Sequence, residues 1–123
     1  MRTFAQLAVS LATLLASPGM IFAQDYPTRV IKLIVPYPAG GGVDNLARPM
    51  ADRLSHRFGQ PVIVENKAGA STMIGGESVA RAATDGYTLL FTTDSSITSN
   101  PFLFKKMPFD PLKELRWCSS ILQ

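Results

Sequence analysis

A short apolar run, Val30-Ile31-Lys32-Leu33-Ile34-Val35, is followed at once by a glycine loop and then by a helical repeat, and the cycle comes round again. That alternation constrains the fold more than any other feature of the chain. Branched side chains with a single charge among them read as a strand covered on both faces. Beyond the loop at residues 36–42, Val43, Leu46, Ala47, Met50, Ala51, Leu54 and Phe58 recur at spacings of three and four. They form one face of an amphipathic helix. Asp44 or Asn45 is placed to cap its start, and Gly59 to end it. Pro49 conflicts with this helix, since it cannot donate to the carbonyl of Asn45. Either the first turn is distorted or regular helix begins near Arg48.

In the second cycle Pro61-Val62-Ile63-Val64-Glu65 reads as a strand, residues 66–71 as its loop, and residues 72–83 as a helix weakened by Gly75-Gly76. Asp85-Gly86 turns into a third strand, Tyr87-Thr88-Leu89-Leu90-Phe91-Thr92. From residue 93 onward the pattern supports only loop and one helical turn. Strands alternating with helices make this an α/β chain, a βαβαβ unit with a parallel sheet. Right-handed crossovers put strand one between strands two and three.

The N-terminal stretch follows another logic. Met1-Arg2 carries one positive charge, residues 4–15 are mostly apolar, Ser17-Pro18-Gly19 interrupts, and Ile21-Phe22-Ala23 precedes the polar Gln24-Asp25. This is the layout of a secretory signal peptide cleaved after Ala23. Its apolar stretch, about a dozen residues, falls well short of the roughly 20 that cross a bilayer as a helix. The chain therefore divides into a signal peptide, 1–23, and a mature part, 24–123, bound for the periplasm with no stable membrane span.

Twelve Lys and Arg face nine Asp and Glu, and the signal peptide removes only Arg2. Charges so nearly balanced and so scattered give no basic stripe for nucleic acid. The one cysteine, Cys118, permits neither an intrachain disulfide nor a thiolate metal cluster. The one histidine, His56, belongs to the helix, flanked by Arg53 and Arg57, as a solvated residue.

Ligands of open parallel sheets sit beyond the C-terminal ends of the strands. Three loops end there: residues 36–44, 66–75 and 93–100. All are rich in glycine or small hydroxyl residues, and two lead directly into helices. Inward-turned backbone amides and helix N-termini favour an anion such as a carboxylate or phosphate. With only Lys67 as a cation in these loops, a carboxylate would be held by amides, hydroxyls and water. The dinucleotide fingerprint fails because Asn45 stands where its third glycine belongs, and no Gly-Lys-Ser/Thr follows to make a phosphate loop. No Ser–His–Asp set, catalytic carboxylate pair or metal cluster is evident, so neither an enzyme nor a cofactor is expected.

Taken in order, Tyr26-Pro27, Ile34-Val35-Pro36-Tyr37-Pro38-Ala39-Gly40-Gly41-Gly42-Val43-Asp44 and Ala47-Arg48 resemble the opening of the Bug-type receptors of tripartite tricarboxylate transporters. The resemblance continues through Gly59-Gln60-Pro61-Val62, Val64-Glu65-Asn66-Lys67-Ala68-Gly69-Ala70, Ile74-Gly75 and Asp85-Gly86-Tyr87-Thr88-Leu89. It extends to Asn100-Pro101 and Pro108-Phe109-Asp110-Pro111. It implies a periplasmic receptor that captures small organic acids for membrane transporter subunits, with two α/β domains closing on the ligand in a type II-like clamp. By the resemblance, the ligand-binding residues are Ala39, Gly40, Gly41, Gly42, Asp44, Asn66, Gly69, Ala70, Ser71, Ile74, Gly75, Thr93 and Ser95. Asp44 can equally cap a helix and Asn66 fix a turn. Asp94 adds a carboxylate that an anion would meet.

Family members run much longer, so residues 24–123 are expected to be the truncated N-terminal part of solute-binding domain 1, an incomplete lobe that is non-functional alone. Two other classes remain: a small stand-alone α/β structural or interaction domain, and a fragment of a nucleotide-binding enzyme, for which the glycine fingerprint is lacking. The leader reading has a direct consequence. N-terminal sequencing of periplasmic protein should begin at Gln24, and an intact Met1 on a cytoplasmic product would overturn it.

Overall fold

Branched side chains that suit a pleated surface occupy residues 31–35, and there the chain forms β1 (Ile31–Val35). Four of its five residues are buried, leaving only Lys32 exposed. The computed structural model describes residues 26–116 and 118; the leader at 1–23 lies outside them. After β1 come α1 (Gly42–Phe58), β2 (Val62–Asn66), a 3-10 turn (Ala70–Thr72) and α2 (Met73–Ala80). β3 (Thr88–Leu90) follows, then two single-turn helices, α3 (Ser95–Thr98) and α4 (Asn100–Leu103). β1 pairs in parallel with β2 on one side and β3 on the other, the order anticipated from the sequence. Ile31 stands opposite Val62, and Leu33 opposite both Val64 and Leu89. Among the described residues no helix is long and apolar enough to cross a membrane.

Several boundaries differ from expectation, each for a local reason. Pro49 neither distorts the first turn nor delays the helix: α1 runs unbroken through it. Pro49 and Asn45 are both exposed, so the missing hydrogen bond falls on the solvent side. On the inner side Ala47 and Ala51 are buried against the sheet. Neither Asp44 nor Asn45 is the N-cap; Gly41 is, without a side-chain cap. Gly59 does close the helix, at φ +64°, its N–H donating to the Ser55 carbonyl at 3.0 Å.

β3 is only three residues long. The Phe91 N–H still donates to the Ile34 carbonyl at 2.9 Å, but the next donor from β1 would be Pro36, which has none. α2 stops at Ala80, short of residue 83, and the segment after residue 93 holds two short helices where one turn was expected. Asp94 caps the first of them, accepting from the Ser95 N–H at 2.8 Å.

The core divides over the two faces of the sheet. Ile31, Leu33 and Val35 pack with Ala47, Ala51 and Val62 beneath α1. On the other face lies Ile34, 1% exposed. Here the Gly75-Gly76 pair is a packing device. Two glycines inside a helix cost about 1 kcal/mol each against alanine, yet both are buried. A Cβ at Gly75 would lie 2.6 Å from the Pro36 Cβ, and one at Gly76 would run into the Phe109 ring. The absent side chains let α2 seat against Pro36 and Phe109, and burial of Phe109 returns about 1.5–3 kcal/mol.

One buried charge joins α1 to the end of β2. Asp44 is 1% exposed and sits in the first turn of α1. Its Oδ2 accepts from the Gly40 N–H and from Arg48 Nε, both at 2.8 Å, and its Oδ1 accepts from Asn66 Nδ2 at 2.8 Å. Asn66 also donates to the Tyr37 carbonyl at 3.1 Å and accepts from Arg48 Nη2 at 3.1 Å. The Arg48 guanidinium, then the Gly40 amide and Asn66, outweigh desolvation and hold the Asp44 carboxyl at about 2, from an ordinary 3.8.

Because the folded value lies below the unfolded one, the stabilisation is complete above 3.8 and is lost as pH falls through about 2. Denaturant midpoints measured between pH 5 and pH 2 should therefore drop, and Asp44→Asn should show a shallower drop than the parent; an identical slope would remove Asp44 from the cause. Gly76→Ala should cost about 1–3 kcal/mol through overpacking, with Phe109→Leu restoring part of it in the double variant. Urea denaturation reads both.

Candidate functional site

The first candidate loop leaves β1 at Pro36, whose ring is buried, and turns back at Gly40, where φ is +79°. A left-handed turn here favours glycine. Of its three consecutive glycines, two have their amides committed within the chain. The Gly40 N–H serves Asp44, and the Gly41 N–H donates to the Pro38 carbonyl at 3.2 Å. The first helical bond of α1 is made by the Asn45 N–H to the Gly41 carbonyl at 2.9 Å. Gly42 and Val43 stand ahead of that bond, so their N–H groups have no carbonyl within the helix. Ala39, Gly40 and Gly42 are exposed.

The second loop leaves β2 at Asn66 and reaches Gly69 at φ +133°. Three successive non-glycine residues then take positive φ: Ala70 at +46°, Ser71 at +50° and Thr72 at +75°. Each such residue costs roughly 1–2 kcal/mol relative to the right-handed form. Ala70 and Ser71 are exposed, as is Ile74 in the first turn of α2, at 51%. Gly75 is buried beneath them.

The third loop, after β3, ties the other two together. The Tyr37 hydroxyl meets Thr93 Oγ1 at 2.7 Å and Ser96 Oγ at 3.3 Å. Burial pushes the Tyr37 phenol up, but hydrogen bonds from Ser96 and the threonines outweigh it and leave the group below its ordinary value. Ser96, 7% exposed, also accepts from Thr72 Oγ1 at 2.8 Å and from Thr92 Oγ1 at 2.7 Å. Asn100 Nδ2 donates to the Ser71 carbonyl at 2.7 Å and to Thr72 Oγ1 at 3.3 Å. Thr93 Oγ1 lies 2.8 Å from Ser95 Oγ, which is exposed.

The anticipated residues thus fall on one rim, at the C-terminal ends of the three strands, though not in one role. Ala39, Gly40, Gly42, Gly69, Ala70, Ser71, Ile74 and Ser95 are exposed; Gly41, Asn66 and Thr93 are partly covered; Asp44 and Gly75 are buried. Tyr37, Arg48, Thr72, Ser96 and Asn100 had no role assigned from sequence, yet they hold the loops to each other. Tyr37 between two prolines and Asn100 before Pro101 were the only local signals. Two concavities of the described surface, about 240 and 390 Å³, lie away from this rim. One lies beside Arg29, Lys32, Asp85 and Tyr87 at the opposite end of the strands, the other among Pro101, Phe104, Met107 and Leu112. Among the described residues no group of three His, Cys, Asp or Glu could hold a metal ion.

Residues 46–123 match the family model of the tripartite tricarboxylate transporter family receptor. The protein BugT of Bordetella pertussis is 40% identical over 116 residues, which is 93% of this chain and 35% of BugT. Among solved structures, a protein of R. palustris with adipate superposes with a TM-score of 0.68 at 39% identity, over 72% of this chain and 29% of that one. MatC of Rhodopseudomonas palustris with bound malate gives a TM-score of 0.66 at 31% identity, over 72% of this chain and 30% of MatC. The chain spans about a third of the length of the relatives it matches. By the match of fold, loop order and sequence over most of its length, this chain belongs to the tripartite tricarboxylate transporter receptor family and is of the Bug type.

Proposed function

We propose that this chain forms the opening part of a periplasmic receptor that captures small organic acids and delivers them to the membrane subunits of a tripartite transporter, catalysing no reaction. In this reading residues 1–23 are a cleavable signal peptide and residues 24–123 begin the first solute-binding domain. The observation that carries the proposal is the rim itself: three glycine- and hydroxyl-rich loops at the C-terminal strand ends, bound to each other by side-chain hydrogen bonds. Similar proteins solved with adipate and with malate support a carboxylate as the ligand class.

The division of labour follows from burial. Asp44, Asn66 and Gly75 shape the cradle: the Asp44 carboxylate is buried with three donors on it, and the Gly75 backbone lies under Pro36. Gly42 and Val43 offer helix-start amides that have no carbonyl within α1, with Ser71, Thr93 and Ser95 adding hydroxyls. Ile74 gives the cradle an exposed apolar side for the carbon skeleton of an acid. Asp94 is turned to its own helix, where its side chain accepts from the Ser95 N–H. A single hydrogen bond to a charged group is worth about 1.5–3 kcal/mol, so a carboxylate on one open wall binds weakly, and a facing lobe supplies the remaining contacts.

Gly42 offers the cleanest test, because a Cβ there meets no atom within 4 Å, whereas one at Gly41 would crowd the Pro38 carbonyl at 3.2 Å. Calorimetric titration of adipate and malate into protein carrying this chain should detect binding of at least one. Gly42→Leu should weaken it about tenfold or more, equivalent to about 1.4 kcal/mol, at an unchanged melting temperature. Unaltered affinity in that variant would remove the first loop from the site.

A further inference from the structure

A run of three left-handed residues without a glycine does not persist by local preference, and the second loop contains one at Ala70, Ser71 and Thr72. No proline or glycine within the run enforces it, and no side-chain cap precedes it. The contacts that fix it come from 28 and 29 positions further along the chain. Asn100, 7% exposed at the start of α4, places its Nδ2 2.7 Å from the Ser71 carbonyl and 3.3 Å from Thr72 Oγ1. Thr72 Oγ1 in turn donates a hydrogen bond to Oγ of the buried Ser96 at 2.8 Å. One amide therefore grips the middle of the strained turn and its last residue together.

We infer that Asn100 is a positioning residue of the solute cradle, holding Ala70–Thr72 left-handed so that Ala70 and Ser71 stay exposed at the strand-end rim. This rests on the reading of these loops as the cradle. A right-handed turn would redirect the Ser71 carbonyl, the Ser71 hydroxyl and the backbone entering α2. The side chain of Asn100 need not touch solute, since both of its contacts are to the turn. Aspartate keeps the shape of Asn100 but sets an oxygen against the Ser71 carbonyl, so Asn100→Asp cuts the grip without changing volume.

The test separates conformation from binding. One-bond Cα–Hα couplings, which distinguish positive from negative φ, are measured for residues 70–72 in the parent protein and in Asn100→Asp, beside adipate and malate titrations. The parent should show the positive-φ signature. Asn100→Asp should lose it at Ser71 and Thr72 and bind the acids about tenfold more weakly or worse. A folded Asn100→Asp that keeps the signature overturns the inference while leaving the cradle reading intact. Loss of the signature in a protein whose parent binds neither acid upholds the grip and removes the cradle. Should the variant fail to fold, exchange of the Asn100 side-chain amide in the parent decides: protected protons support the contact, and freely exchanging ones overturn it.

Discussion

A carboxylate taken almost wholly out of water has to be met by donors, and at Asp44 the chain supplies three from three places: the Gly40 backbone, the Arg48 guanidinium and the Asn66 amide. Those partners belong to the first loop, α1 and the end of β2, so satisfying one charge fixes the relative positions of all three. Asn66 carries the constraint onward by donating to the Tyr37 carbonyl, and Tyr37 carries it to the third loop through Thr93 and Ser96. The rim at the strand ends is thus one connected network that starts from a buried charge. Arg48 remains half exposed, at 52%, so its cationic face is both a structural partner of Asp44 and part of the surface beside the first loop.

Close approach supplies the second constraint. Ala47 and Ala51 let α1 lie low over β1, and Gly75 and Gly76 do the same for α2 against Pro36 and Phe109. Small residues at these four positions convert two weak helix formers and two alanines into a tightly packed three-layer arrangement. Outside that arrangement the segment after β3 presents Phe102, Leu103 and Leu112 largely to solvent.

In the proposed reading, an anion held by loops with so few cations depends on dipoles rather than charges. Gly40 and Gly41 spend their amides on the loop itself, leaving the start of α1 to face outward. Such fixed dipoles are aimed by backbone geometry, which makes the shape of the loops more consequential than their composition. The left-handed turn at residues 70–72 belongs to the same economy: it is costly locally and is held by groups far along the chain.

Much of this was legible in the residues. Periodicity alone gave β1, β2, α1 and the central place of β1, because burial on a sheet face or a helix stripe imposes its period on any sequence that folds. The motif set gave the family, and the strand-end rule located the rim. Tertiary structure decided the rest. Pro49 reads as a helix breaker, yet its lost hydrogen bond falls on the exposed side while Ala47 and Ala51 hold the inner side. Gly75-Gly76 reads as weakness, yet the pair is required by Pro36 and Phe109, 39 and 33 positions away along the chain. Asp44 reads as a cap or a ligand contact, and only its partner Asn66, across 22 residues, makes it a buried latch. Ser96 carries no local signal of its part in the second loop, and Asn100 only the proline that follows it. Sequence reports a residue's preference within its own few neighbours; hydrogen bonds and close contacts between distant segments are fixed only when the sheet brings those segments together.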